Sequence, residues 1–208
     1  MAIPINIEDL LNKRKIESNR IEFKKGWNPD KIYRTICAFA NDFDNIGGGY
    51  IVVGIEEEER TGIAKRPVTG VPIEALNDIQ KDMVGYNNKI EPYYMPRIDV
   101  QEVDGKSVLV IWAPAGVNRP YNVRERVTAK QSPSKWYIRS GTSTIEAKGE
   151  VLDELREMAN RTPFDERGNE RIEISDISPA LVLDYLQTVG SRLANDFESK
   201  PFVEILGQ

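Results

Sequence analysis

The stretch Gly47-Gly48-Gly49-Tyr50-Ile51-Val52-Val53-Gly54-Ile55-Glu56 joins three glycines to an apolar run, and it opens a series of four glutamates that ends at Glu59. A run of this length, bounded by turn residues and rich in β-branched side chains, predicts a strand buried on both faces. The glycines favour a tight turn over a phosphate-binding loop, because no Gly-Lys-Ser/Thr follows and such a loop precedes a helix. We expect the end of the strand to deliver its carboxylates to a sheet edge or a cleft.

The segments before this strand predict two helices and one strand. A short opening helix is expected from Asn6 to Lys15, with Asn6 as its cap. Apolar and charged residues alternate from Arg20 to Lys25, which indicates a strand. Apolar residues then recur with helical spacing after Asn28, so a helix is predicted from Pro29 to Phe43.

The segments after the strand predict a hairpin, further strands and two helices. Asp104-Gly105 joins Arg97–Val103 to Lys106–Ala113, and this dipeptide is typical of a β-hairpin. The apolar run 108–112 of the hairpin is expected to lie beside the central strand. The remaining expected elements are a helix that begins at Pro72, two short strands at Trp136–Arg139 and Thr144–Glu146, and a helix with apolar residues Val151, Leu152, Leu155, Met158 and Ala159.

This element order predicts an α+β fold in which a mixed central sheet is flanked by helices, within a domain of residues 1–160. The segment Arg161–Glu173 is highly charged and contains Pro163 and Gly168, which indicates a linker. A last helix is expected after Ser178-Pro179. Residues 161–208 are therefore interpreted as a linker and the helical start of a further region of a longer protein.

The composition excludes several kinds of chemistry. The chain has 208 residues, no histidine and a single cysteine, Cys37. Serine and cysteine nucleophiles that depend on histidine are thereby excluded, as are histidine-ligated zinc and internal disulfides. No apolar run is long enough to span a bilayer and no signal peptide is evident, so a cytoplasmic protein without a membrane partner is expected.

Three carboxylates, Glu17, Glu22 and Glu56, are candidate ligands of Mg²⁺ or Mn²⁺, and such an ion could activate water against a phosphodiester. Lys24 lies on the same strand face as Glu22 and could stabilise developing charge. Convergence of Glu17 with Glu22 requires a break in the strand near residues 18–19. The alternative is that these residues are solvated charges on an edge strand and at a hairpin tip.

Positive charge is concentrated between residues 114 and 141, which carry six Lys or Arg and one Glu, although the whole chain has a net charge of −5. Cations that track phosphates, interleaved with aromatic rings, are typical of a nucleic-acid-binding surface. The alternative is a solubilising face in which Trp136 is part of the core. The candidate contacts are Lys24, Lys25, Arg119, Arg124, Arg126, Lys130, Lys135, Trp136 and Arg139.

Four motifs in this order resemble the Schlafen AlbA_2 domain family. They are Glu17-x4-Glu22-Phe23-Lys24, Ala38-Phe39-Ala40-Asn41, Gly48 to Glu56, and Tyr137-Ile138-Arg139-Ser140-Gly141-Thr142-Ser143-Thr144 followed by Ala147. The resemblance covers roughly residues 8–159. It implies a compact α+β domain that binds nucleic acid, of a kind that occurs in bacterial transcriptional regulators and ATP-binding proteins.

The resemblance also implies a metal-dependent nuclease site in some members, at positions that match Glu17, Glu22 and Glu56. The third position is usually aspartate in the family, and glutamate here would set a metal differently. The leading hypothesis is a module of a transcriptional regulator that binds DNA or RNA. The alternatives are a Mg²⁺- or Mn²⁺-dependent endoribonuclease and a structural or oligomerisation module of a longer ATP-binding protein. Domains of this kind often pair, which leaves a homodimer open.

Overall fold

The computed structural model describes residues 3, 5–11, 18–58, 60–158, 177–197, 199–202 and 205, in two compact units of residues 1–160 and 161–208. The helices of the first unit are α1 (Ile7–Leu11), α2 (Pro29–Asn41), α3 (Ile73–Asn87) and α4 (Glu150–Met158). Its strands are β1 (Ile21–Lys24), β2 (Gly49–Val53), β3 (Ile90–Glu91), β4 (Arg97–Val103), β5 (Lys106–Ala113), β6 (Asn122–Arg124), β7 (Ser134–Ser140) and β8 (Ser143–Glu146). The predicted α+β class is confirmed.

The strands form two four-stranded sheets. The first has the order β1-β2-β5-β4 and is mixed, since β1 pairs with β2 in parallel and the other pairs are antiparallel. The second has the order β3-β6-β7-β8 and is antiparallel throughout. Strand β2 lies inside the first sheet, and β1 forms one of that sheet's edges.

Strand β2 divides the core into two layers, because its side chains alternate between the two faces of the first sheet. Ile51 and Val53 pack with α2 and α3, and the same cluster contains Val123 and Tyr137 from the second sheet. Val52 packs on the opposite face with α1 and with the segment around residues 64–68. All five residues of β2 are buried, as the apolar run predicts.

The glycines before β2 allow two close approaches. Gly48 has φ +80°, and a Cβ atom there would lie 2.2 Å from the carbonyl oxygen of Ala113 on β5. A Cβ atom on Gly49 would lie 2.3 Å from the ring of Phe39 on α2. The carboxylate of Asp42 accepts hydrogen bonds from the backbone amides of residues 46–48, at 3.0 to 3.1 Å. These glycines therefore form the turn that the sequence predicts.

Helix α2 begins as expected and ends two residues earlier than predicted. The side chain of Asn28 accepts a hydrogen bond from the amide of Lys31 at 3.1 Å, and Pro29 occupies the first turn. The helix ends at Asn41 because Asp42 adopts a left-handed conformation with φ 44°. Phe43, which was predicted as the last apolar residue of the helix, instead packs with the cluster around α4.

The hairpin of β4 and β5 has the predicted bounds. Both turn residues have positive φ, 51° at Asp104 and 71° at Gly105, as the Asp-Gly signal requires. Strand β5 pairs with β2, which confirms the predicted neighbour of the central strand. Strands β3 and β6 were not predicted, because two or three residues are too few to show alternation.

The structure describes only part of two other predicted segments. The amide of Glu8 donates to the Asn6 side chain at 2.8 Å, which confirms the predicted cap of α1, but residues 12–17 lie outside the described part of the chain. The predicted linker 161–173 also lies outside it. In the second unit, the helix expected after Ser178-Pro179 is α5 (Pro179–Thr188), and Leu193 begins a further helix, α6 (Leu193–Asp196). None of the described helices combines the length and apolar character needed to cross a membrane.

Candidate nucleic-acid interface

A polar cleft of about 360 Å³ lies where β1, the edge strand of the first sheet, meets α2 and the turn between β7 and β8. Strand β1 contributes an acid and a cation, α2 contributes two cations and a hydroxyl, and the second sheet contributes four hydroxyls. The lining residues are Glu22, Lys24, Lys31, Arg34, Thr35, Tyr137, Thr142, Ser143 and Thr144. Among the described residues that line it, the cleft thus has three cations and one carboxylate.

Glu22 is held between two cations. Lys24 donates a hydrogen bond to its Oε1 atom, and Arg139 Nη1 donates to its Oε2 atom at 3.0 Å. The side chain of Arg139 is only 7% exposed, whereas those of Glu22 and Lys24 are 18% and 26% exposed. Because Arg139 also lies 5.1 Å from the centre of the Phe39 ring, it is fixed by packing as well as by charge. Arg139 therefore fixes Glu22 from inside the protein, while Lys24 reaches the cleft.

A chain of hydrogen bonds connects this ion pair to α2. Arg139 Nη1 donates to Thr144 Oγ1 at 2.8 Å, and the hydroxyls of Thr144 and Thr35 lie 3.1 Å apart. The Thr35 hydroxyl donates to the carbonyl oxygen of Lys31 at 3.3 Å, so the proton between the two threonines is that of Thr144. These hydrogen bonds align the first turns of α2 with β1 and the β7–β8 turn.

Helix α2 supplies cleft residues that were not among the sequence candidates. Lys31, Arg34 and Thr35 are spaced i, i+3 and i+4, which places them on one helix face. Arg34 Nε donates to the carbonyl oxygen of Glu125 at 3.0 Å, so this residue also contacts the segment that follows β6. The sequence signal for these residues was the polar face of α2, opposite the apolar stripe that predicted the helix.

Glu56 does not line the cleft. Its carboxylate lies 3.1 Å from Lys25 Nζ and 3.1 Å from Lys65 Nζ. The hydrogen bonds from Lys65 and Lys25 lower the pKa of Glu56, so the group is a carboxylate at neutral pH. Glu17, the third residue of the predicted metal site, lies outside the described residues.

Glu22 and Glu56, the two described residues of the predicted metal site, are each paired with two cations. Both oxygens of Glu22 and both oxygens of Glu56 already accept hydrogen bonds from Lys or Arg side chains or form ion pairs with them. Among the described residues there is no group of three or more His, Cys, Asp or Glu that could hold a metal ion. The predicted site of Glu17, Glu22 and Glu56 includes an undescribed residue, and as a whole it stays a prediction.

Two further residues predicted to contact phosphate, Arg119 and Lys135, already bind other groups of the protein. Arg119 donates to the carbonyl oxygens of Asn41 and Asp42 at 3.1 and 3.0 Å, and to the Asn45 side chain at 2.9 Å. Lys135 bridges Glu125 and Glu146 at 2.8 and 3.2 Å. The hydrogen bonds to these two acids raise the pKa of Lys135. These cations join segments of the fold.

The remaining predicted contacts differ in exposure. Lys130, Arg126 and Lys25 are exposed, although Arg126 Nε lies 3.9 Å from Asp30 and Lys25 pairs with Glu56. Arg124 is half-buried, and its guanidinium donates to the carbonyl oxygen of Lys130 at 3.1 Å. Trp136 is also half-buried. It packs against the buried cluster of Ile138, Ala147 and Leu155, and its ring centre lies 5.5 Å from Arg156. Trp136 thus packs against the core beside α4, which agrees with the alternative interpretation of that residue.

Residues from three of the motifs meet beneath the cleft, where Arg139 contacts both Glu22 and the ring of Phe39. The sequence profile of the Schlafen, AlbA_2 family matches residues 17–148. The chain belongs to this family. The resemblance of the four motifs is thereby confirmed, and membership of the Schlafen AlbA_2 family supports a nucleic-acid-related domain.

Two solved structures are similar to the chain. One is the solution structure of the N-terminal domain of a Nitrosomonas europaea protein named as related to the ATP-dependent DNA helicase RecG. It is 26% identical, with coverage of 65% of this chain and 88% of that one and a TM-score of 0.45. The other is the DIP2311 protein of Corynebacterium diphtheriae, 20% identical, with coverage of 85% of this chain and 36% of that one and a TM-score of 0.49. No similar sequence was found among curated proteins.

Proposed function

We propose that this Schlafen AlbA_2 domain binds the phosphate backbone of DNA or RNA through the cleft between β1, α2 and the β7–β8 turn. The observation that carries the proposal is the charge of the cleft. Its lining includes three cations and one carboxylate, in a chain whose net charge is −5. A local excess of positive charge on an acidic protein is the expected footprint of a phosphate ligand.

The state of the individual cations supports the proposal. Lys31 forms no ion pair with any described residue and is exposed. Arg34 uses its Nε atom on a backbone carbonyl and likewise forms no ion pair with a described carboxylate. The two side chains can therefore donate to phosphate oxygens without first breaking an internal salt bridge.

The β6–β7 segment extends the same surface. The contact of Arg34 with the carbonyl oxygen of Glu125 places this segment beside the cleft. The amide and hydroxyl of Thr128 also donate to Asp30 in the first turn of α2, at 3.0 and 3.1 Å. Lys130 and Arg126 are exposed on this segment and lie within the basic region that the sequence identified. A ligand longer than one nucleotide can follow the cleft onto these residues.

The test is the affinity of the whole chain for labelled duplex DNA and duplex RNA at low salt, measured by fluorescence anisotropy. The double variant Lys31→Gln/Arg34→Gln is expected to bind at least ~10-fold more weakly, because two charge-assisted hydrogen bonds to phosphate are lost. The control Lys81→Gln/Lys106→Gln removes the same charge away from the cleft and is expected to change the affinity less than ~2-fold.

If both double variants weaken binding equally, the cleft is not the interface and the proposal is wrong. Absence of binding to either duplex at low salt also contradicts it and favours a structural module.

The same samples, incubated with Mn²⁺ and run on a gel, test the predicted nuclease activity. Cleavage by the native chain and none by Glu22→Gln would support the three-carboxylate prediction.

A further inference from the structure

Glu22 has an unusual position for a phosphate-binding cleft. It is the only carboxylate among the described residues that line the cleft, and it accepts from Lys24 at the cleft and from Arg139 beneath it. A phosphoryl group that bound Lys24 would need a donor that the carboxylate already uses. Glu22 thus occupies, from within the chain, the kind of position that an anionic ligand would take.

The three cleft cations are therefore not equivalent. Lys31 and Arg34 form no ion pair with a described carboxylate, whereas the ammonium of Lys24 is neutralised by Glu22. The Glu22 side chain cannot easily move away, because Arg139 is 93% buried and is fixed by Thr144 and by the carbonyl oxygen of Thr142, at 2.8 and 2.7 Å. A buried cation of this kind keeps its carboxylate partner, because separating them leaves an uncompensated charge.

We propose that Glu22 is an intramolecular competitor for phosphoryl groups, which masks Lys24 and limits the affinity of the cleft for a phosphodiester. This inference rests on the proposed function and names the residue that sets its strength. In the native chain a phosphoryl group binds to Lys31 and Arg34, while Lys24 stays with Glu22. The cleft then binds nucleic acid weakly and reversibly, because Lys24 does not contribute to binding.

The test compares two variants that each remove one carboxylate. Glu22→Gln keeps an oxygen to accept from Arg139, removes the negative charge from the cleft and releases Lys24. It is expected to bind duplex DNA or RNA ~3- to 10-fold more tightly in EDTA. Glu56→Gln is the matched control, because Glu56 also pairs with two cations, Lys25 and Lys65, but does not line the cleft. It is expected to change the affinity less than ~2-fold.

The double variant Glu22→Gln/Lys24→Gln removes the pair together and is expected to bind within ~2-fold of the native chain.

A second measurement uses the native protein, so that it does not depend on the folding of a variant. Bound nucleic acid is expected to slow acylation of the Lys31 amine more than that of the Lys24 amine. Stronger protection of Lys24 than of Lys31 would overturn the inference.

The inference and the proposed function fail in different ways. If Lys31→Gln/Arg34→Gln weakens binding but Glu22→Gln binds no more tightly than Glu56→Gln, the cleft is the interface and Glu22 is not a competitor. If neither the native chain nor Glu22→Gln binds, the proposed function itself is wrong. A loss of affinity in Glu22→Gln that occurs only with Mn²⁺ present would identify Glu22 as a metal ligand and contradict the inference.

Discussion

Asn41, the last residue of α2, connects three segments of the first unit. It is fully buried, and its Nδ2 atom donates to the carbonyl oxygens of Tyr121 and Tyr137 at 2.9 and 2.8 Å. Its Oδ1 atom accepts from the amide of Tyr121 at 2.6 Å. All of the hydrogen-bonding groups of this side chain are thus used to hold α2 against the second sheet.

We expect Asn41→Leu to lower the free energy of unfolding by ~2–4 kcal/mol, since two carbonyls and one amide in the core lose their hydrogen bonds to this side chain. Asn88→Ala is the control, because Asn88 is exposed and its side chain donates one hydrogen bond, to the carbonyl oxygen of Val84. Its cost is expected to be below ~0.5 kcal/mol. Urea denaturation of both variants measures the difference, and equal midpoints would contradict this role of Asn41.

At the residue scale the sequence predicted the types of side chain better than their partners. Glu22 and Lys24 were correctly expected on one face of a strand, because residues i and i+2 share a face. The pairing of Glu22 with Arg139, 117 positions away, depends on how the two sheets are arranged, which no local pattern encodes. Lys31 and Arg34 were missed for the related reason that a polar helix face gives no sign of what lies opposite it.

At the element scale, the glycines before β2 mark positions at which the fold leaves no room for a side chain. Gly48 and Gly105 both have positive φ, but a Cβ atom at Gly48 meets the backbone of β5 at 2.2 Å, whereas one at Gly105 meets nothing within 4 Å. A substitution at Gly105 therefore has only the conformational cost of the left-handed region. At Gly48 the sheet itself must separate.

We expect Gly105→Ala to destabilise the fold by ~1–2 kcal/mol, the cost of placing a Cβ atom in the left-handed region. Gly48→Ala is expected to cost more than ~3 kcal/mol, because the carbonyl of Ala113 must move and the β2–β5 ladder is disturbed. Thermal unfolding followed by circular dichroism compares the two. Equal shifts in the midpoint would mean that the close approach at Gly48 has no energetic weight.

The elements that the sequence predicted well are those with a strong local signal. The β4–β5 hairpin has the bounds given by its Asp-Gly turn, and α2 begins directly after the capping residue Asn28. The second sheet was only half predicted, since β7 and β8 flank a clear turn while β3 and β6 are two and three residues long. Such short strands form because neighbouring strands are already in place, so their pattern is tertiary rather than local.

At the scale of the whole molecule, the acidic net charge of −5 coexists with a cleft whose described lining has three cations and one acid. Many other cations are neutralised by acids in the fold, such as Lys135 by Glu125 and Glu146, and Arg66 by Glu8 and Asp104. The sequence count between residues 114 and 141 therefore overestimates the charge available to a ligand. The charge that a ligand can use depends on which cations are paired with acids, and these pairs are known only once the fold is known.

The central claim, that Lys31 and Arg34 contact phosphates, is tested most directly by the salt dependence of duplex DNA binding. Each phosphate contact contributes about −0.9 to the slope of log K against log salt concentration, so Lys31→Gln/Arg34→Gln is expected to reduce the magnitude of the slope by ~1.8. The control Lys81→Gln/Lys106→Gln is expected to keep the native slope. Identical slopes for the native chain and the cleft variant would contradict the account.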